Sequence, residues 1–231
     1  MYTLSLASKI KNLFRHYFLT IGSYFLFFMG MGVLNNLFPQ LDFDRYQQTE
    51  IYEMMTDNPV VFFILAVIIA PIMEECLFRS LIKPSQNEIL VFICSWILFV
   101  SLAFIPPEAN IILKYSLLLL SVFIIFLFLK SVIPENKMKK LQYQLHKYHR
   151  FIWIISAVIF GYVHVWNYVS GFEFNFILFI LIFPRIIAGY FFGRLKIQNK
   201  ELYWPMLLHA MNNGIVVLIS SKAEEITDIF L

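Results

Sequence analysis

Seven runs of predominantly apolar residues, at about 17–38, 59–82, 88–105, 111–133, 151–169, 174–194 and 203–220, dominate this chain. A helix needs roughly 20 such residues to cross a bilayer. Pro39, Pro59, Pro84, Pro106–Pro107, Pro134 and Pro205 punctuate the runs near their ends, where helix-breaking residues belong. Only 14% of residues are charged, against roughly 25% in an ordinary soluble domain. The deficit extends along the whole sequence and leaves no room for a sizeable soluble unit. The expected fold is all-α, a polytopic membrane helix bundle of about seven transmembrane helices, with residues 1–231 forming one domain. The lipid bilayer is its expected partner and nucleic acid is not.

The first run follows Lys9, Lys11 and Arg15, in the manner of a signal peptide. It is longer than a signal h-region and has no small-x-small cleavage site, so a retained first span is expected. Gly22, Gly30 and Gly32 within it suit close helix approach. Cys76 and Cys94 lie in apolar runs and read as small buried side chains, with no disulfide. With the N-terminus inside, Lys9, Lys11, Arg15, Lys83, Lys130, Lys137, Lys139, Lys140, Lys147, Arg150, Arg194, Lys196 and Lys200 fall on the cytoplasmic side. Arg45 and Lys222 fall outside, with Lys114 near an outer end. That asymmetry predicts a cytoplasmic N-terminus and an external C-terminus. The acidic loop containing Asp42, Asp44, Glu50, Glu53 and Asp57 and the tail containing Glu224, Glu225 and Asp228 then lie outside. The basic 134–150 loop reads as a topology signal and a surface for anionic headgroups.

Ionisable groups inside the spans carry the functional argument, because each is costly in hydrocarbon unless it faces the bundle interior or a hydrated cavity. They are Glu74, Glu75 and Arg79 in the second span, His164 in the fifth, Arg185 in the sixth and His209 in the seventh, joined there by Asn213. Adjacent helical residues point about 100° apart, so Glu74 and Glu75 cannot share one role. Glu75 and Arg79 are spaced i,i+4 in the favourable orientation for an ion pair. Glu74 is left as the free carboxylate, placed for general-base chemistry, although one structural ion cluster of all three would also fit. Phe160 lies one turn before His164, beside Gly161, which permits close helix approach or a local bend. His209 and Asn213 share a helix face, where they can meet at an oxyanion or form interhelical hydrogen bonds. If the span ends are level, a rise of 1.5 Å per residue places His164 roughly 8 Å out of step with the other groups.

The ordered trio Glu74-Glu75-Cys-Leu-Phe-Arg79, Phe160-Gly-Tyr-Val-His164 and His209-Ala-Met-Asn-Asn213 resembles the CPBP family of intramembrane proteases. This is also called the CAAX amino-terminal protease or Abi family, and it includes the type II CAAX prenyl endopeptidases. The resemblance covers a protease-like core of about 59–216. It implies an intramembrane endopeptidase in which Glu74 and His164 activate water and His209 and Asn213 stabilise the oxyanion. Glu75, Arg79 and Phe160 would support the site. It favours a glutamate-type enzyme without a cofactor; the alternative is zinc or another divalent metal held by Glu74, His164 and His209.

The expected substrate is a membrane-associated peptide or protein. A composition rich in Ile, Phe, Lys and Asn points to a bacterial plasma membrane, and so to peptide maturation, self-immunity or regulatory cleavage rather than prenyl-protein processing. The competing functions are a non-catalytic scaffold or immunity protein of the same fold, and a proton-coupled carrier. Against the carrier stands the absence of inverted-repeat symmetry.

Overall fold

The computed structural model describes residues 4–102, 104, 111–171 and 173–230, side chains at 44, 111, 112, 114 and 221–230 excepted. The Pro106–Pro107 break and the side chains of Asp44, Lys114, Lys222, Glu224, Glu225 and Asp228 therefore lie outside the described residues. The regular structure described is entirely helical. Helix α1 (Leu6–Leu37) starts where the Ser5 side chain accepts the Ser8 backbone N–H. The second span comprises α3 (Pro59–Phe63), a π turn (Ile64–Ile69) and α4 (Ala70–Phe78). Then follow α5 (Gln86–Leu102), α6 (Ile111–Val132), α8 (His149–Val163), α9 (Phe176–Asn199) and α10 (Tyr203–Phe230). Each predicted span thus falls on a helical segment. Among the described residues, five segments are long and apolar enough to cross a membrane, while α5 is shorter.

Two stretches read as loops are helical. α2 (Thr49–Asp57) lies between the first two spans. α7 (Glu135–Lys147) occupies most of the basic 134–150 segment. Met138, Leu141 and Leu145 repeat at i, i+3 and i+7, giving α7 an apolar stripe with Met138 buried. The other face carries the charges, which masked that period. From α7, Gln142 Nε2 and His146 Nε2 each lie 2.9 Å from the Pro84 carbonyl, tying it to the α4–α5 turn.

α8 packs along α9, and α1 lies against α9 and α10. Gly161 is where α8 and α9 touch: a Cβ there would sit 2.2 Å from Ile186 Cγ1 and 3.0 Å from the Ile186 backbone nitrogen. The expected role of Gly22, Gly30 and Gly32 in close packing does not hold, since a Cβ at any of them would meet nothing within 4 Å. These glycines sit on a helix whose apolar side chains, among them Phe25, Leu26 and Met29, are largely exposed. α6 contacts α5 and otherwise exposes Leu117, Leu120, Phe123 and Ile124. The core proper comprises Leu13, Phe160, Ala188, Phe192, Leu195, Trp204 and Leu208.

The vertical register of α8 removes the depth mismatch. Ser156 Oγ donates to the Phe78 carbonyl, so α4 ends level with Ser156 rather than with the start of α8. That offset of seven residues is about 10 Å. Side chains lean toward the N-terminus of their own helix, and α4 and α8 run in opposite directions. Glu74 and His164 therefore lean toward each other and close the remaining gap.

Gly161→Ala is expected to lower the stability of the detergent-solubilised protein by about 1–3 kcal/mol through overpacking at Ile186. Gly30→Ala, which adds a methyl group in open space, should be neutral or slightly stabilising. Thermal unfolding of the two variants side by side checks this; equal effects would contradict the α8–α9 contact.

Candidate active site

The floor of the site is an ion pair without exposed surface. Arg79 Nε lies 3.3 Å from Glu75 Oε2, and both side chains are fully buried. The guanidinium carbon stands 4.3 Å from the centre of the Phe160 ring, 5.7 Å from that of Phe78 and 5.8 Å from that of Phe192. The Arg79 nitrogens make no hydrogen bond of good geometry. The cation is held by opposite charge and aromatic faces, an arrangement that suits the weakly hydrated guanidinium. The other Glu75 oxygen, Oε1, is 2.9 Å from His209 Nδ1. The His209 ring is stacked on Phe192, 4.7 Å between centres, with the edge of Phe160 at 5.6 Å. Glu75 thereby fixes the ring so that its Nε2 points away from the ion pair.

Glu74 faces the other way, as the 100° step between neighbours requires. Its Oε2 is buried and makes no hydrogen bond to protein. It lies 3.9 Å from His164 Nε2 and 3.8 Å from His209 Nε2. Both separations exceed a direct hydrogen bond and admit a bridging water. His164 Nδ1 is 2.7 Å from the Phe160 carbonyl. A carbonyl only accepts, so Nδ1 carries the proton and the neutral ring presents a lone pair at Nε2. His164 closes α8, and the chain continues into a 3-10 turn (His164–Asn167), so this ring stands at the end of a helix.

Asn213 is brought close but is partly committed. Its Nδ2 donates to the Ala66 carbonyl at 2.8 Å. The cause lies in the second span. The Ala70 N–H reaches five residues back to Leu65 across the π turn, and the next residue, Pro71, has no N–H to offer Ala66. Asn213 supplies that missing donor. A carboxamide nitrogen has two hydrogens, so one remains. Asn213, His164 and His209 line a cavity of about 390 Å³, whose wall also includes Arg185, Asn212 and Tyr24. Glu74 is not itself part of that wall, but its Oε2 lies within 3.9 Å of both imidazoles that are. Sequence reasoning missed Gln48, Tyr168 and Asn212. Gln48 comes from the segment between spans, and no local pattern distinguishes it there; it accepts from Arg185 Nη2 at 3.4 Å.

Glu74, His164 and His209 are donors of the type zinc takes, and each ring has its Nδ1 held by an oxygen, as metal-ligating histidines do. Ligands of a tetrahedral zinc ion stand roughly 3.4 Å apart, whereas here the carboxylate oxygen is 3.8 and 3.9 Å from the two nitrogens, so the three side chains would have to draw together by about half an ångström to hold one. Among the described residues no three His, Cys, Asp or Glu side chains are grouped to hold a metal ion.

Residues 56–215 match the family model described as type II CAAX prenyl endopeptidase Rce1-like. The chain belongs to this family. The match spans all three motifs, from Glu74 to Asn213, and leaves α1, which adds Tyr24 to the cavity wall, outside it. No curated protein and no solved structure matched the chain. Membership in the Rce1-like family, with the apolar helices, makes the chain an integral membrane protein and a protease.

Removing one partner of a buried ion pair leaves an uncompensated charge, so Arg79→Met is expected to destabilise this Rce1-like protein by roughly 3–5 kcal/mol. The double variant Glu75→Gln/Arg79→Met should recover most of that loss in a denaturation series. Additive losses in the double variant would show that the two side chains are not coupled.

Proposed function

We propose that this protein is a glutamate-type intramembrane endopeptidase acting on a membrane-associated peptide or protein, without a metal. One observation carries the reading: Glu74 Oε2 is buried, accepts no hydrogen bond from protein, and faces two imidazole Nε2 atoms at 3.8 and 3.9 Å. A water there donates one hydrogen to Glu74 and the other to the His164 Nε2 lone pair. As Glu74 removes the proton, the water oxygen bonds to the scissile carbonyl carbon. Collapse of the tetrahedral intermediate breaks the C–N bond, and Glu74 returns the proton to the leaving amine. The oxyanion is met by His209 Nε2 and by the second Asn213 N–H. With its Nδ1 proton on Glu75, His209 has a donor at Nε2 only as an imidazolium. That charge also balances the cluster of Glu74, Glu75 and Arg79, which otherwise holds two carboxylates against one guanidinium. Glu75, Arg79 and Phe160 are positioning residues in this scheme, acting through His209.

The chain is proposed to lie with its N-terminus in the cytoplasm and its C-terminus outside, in a bacterial plasma membrane. The support is the loop asymmetry, reinforced by Lys9, Lys196 and Lys200 gathering at one end of the bundle.

Purified protein and a Glu74→Gln variant are to be incubated with a library of membrane peptides and the products read by mass spectrometry. Glu74→Gln should lower cleavage by about 10²–10⁴-fold, the usual contribution of a general base. A variant that cleaves like the parent, or a parent that cleaves nothing while Glu74→Gln still complements a deletion phenotype, would leave a scaffold as the better account.

Chelators should leave the rate unchanged; loss of activity restored by zinc would overturn the metal-free scheme.

A further inference from the structure

Arg185 lies about 13 Å along α9, in the middle of a span, where a cation is costly unless it is compensated. Among the described residues, the two cationic side chains with no exposed surface each have a carboxylate: Arg79 has Glu75, and Lys196 has Glu88 at 2.6 Å. Arg185 forms no ion pair among the described residues. Its neighbours are neutral. Nη1 donates to Tyr168 Oη at 3.1 Å and to the Leu181 carbonyl at 3.3 Å, and Nη2 donates to Gln48 Oε1 at 3.4 Å.

Its position adds a second observation. Arg185 lines the cavity of about 390 Å³ that holds His164, His209 and Asn213. It also lines an adjoining cavity of about 690 Å³, which reaches Tyr46, Tyr52 and Met55 in the segment between the first two spans. Gln48 borders both spaces with it. An uncompensated guanidinium, flanked by a carboxamide and a phenol, therefore stands where an outer chamber meets the reacting groups.

We infer that Arg185, with Gln48 and Tyr168, is a specificity site that binds a carboxylate of the substrate and so sets which peptide bond reaches Glu74. This rests on the protease reading above. The guanidinium presents a planar fork that matches a carboxylate with two parallel N–H···O bonds. Gln48 can offer its amide N–H to the same group, and Tyr168, whose hydroxyl donates to the Leu181 carbonyl at 3.5 Å, can turn that donor to it instead. The carboxylate is either the free C-terminus of the chain being cut or an acidic side chain near the bond.

The test uses the full-length Glu74→Gln protein in detergent, so that binding is read apart from turnover. A library of apolar octapeptides is made in three forms: C-terminal acid, C-terminal amide, and amide with one internal Glu. Retention on the immobilised protein is quantified by mass spectrometry. The acids should be retained about tenfold or more over the plain amides. Adding Arg185→Gln should abolish that preference, and Arg185→Lys, which keeps the charge but loses the fork, should keep part of it. Amides with an internal Glu that bind as well as the acids would support the same site with a side chain as the source.

Equal retention of all three forms by protein with Arg185 intact would overturn the inference, and that comparison does not depend on any Arg185 variant folding. A preference that survives Arg185→Gln would overturn it too. Cleavage by the parent protein separates the two claims. Acid preference in binding without any cleavage sinks the protease reading alone, whereas cleavage without acid preference sinks the carboxylate site alone. If Arg185→Gln slows cleavage of acids and amides equally, the residue serves the reacting carbonyl and the inference is wrong.

Discussion

A guanidinium and a carboxylate with no exposed surface must satisfy each other, and in this bundle the pair Arg79–Glu75 does so inside a wall of aromatic rings. The remaining active-site geometry follows from that pair. Glu75 divides its oxygens between Arg79 and His209, which turns the imidazole so that its free nitrogen faces Glu74. Phe160 lies with its face to Arg79 and roughly perpendicular to both histidine rings, and its carbonyl fixes the His164 tautomer. One phenylalanine thus links the neutralisation of a buried charge to the orientation of both rings. A hydrophobic replacement of the ion pair could pack as well, since buried pairs add little net stability over good packing. It would leave His209 Nδ1 without the carboxylate that orients the ring between Phe160 and Phe192.

The end of the bundle opposite the outer chamber is tied by polar contacts as well as by apolar packing. Lys196 bonds Glu88 and the Lys200 carbonyl, joining α9 to α5. Asn199 accepts from Asn12 and donates to the Lys9 carbonyl, joining α9 to α1. Lys9 in turn pairs with Glu201 before α10. α7 closes the same end through the Pro84 carbonyl. With five helices pinned there, the cavities lie on the far side, where Gln48 and Tyr168 come from connecting segments.

Much of the site was legible in the sequence because membrane chemistry removes the background. An ionisable residue in hydrocarbon needs a partner or a task, so Glu74, Glu75, Arg79, His164 and His209 stood out against apolar neighbours, and the i,i+4 spacing of Glu75 and Arg79 named one pair directly. The remaining features depend on tertiary arrangement. The π turn and the commitment of Asn213 to Ala66 arise from a proline five residues further on, a signal present in the sequence but ambiguous until a neighbouring helix is positioned. The offset of α8 against α4 is set by a contact between residues 78 and 156, which no local pattern reveals. α7 was hidden by its charges, and the glycines of α1 misled because a small residue permits close approach without requiring it.

The central claim is that a bare imidazole nitrogen on His164 shares one water with Glu74. Nitrogen-15 NMR of histidine-labelled protein in detergent tests it directly. The account predicts a His164 ring protonated at Nδ1 and unprotonated at Nε2, with the Nε2 resonance moving when Glu74 is changed to Gln. A ring protonated at Nε2, or a resonance indifferent to that substitution, would contradict it.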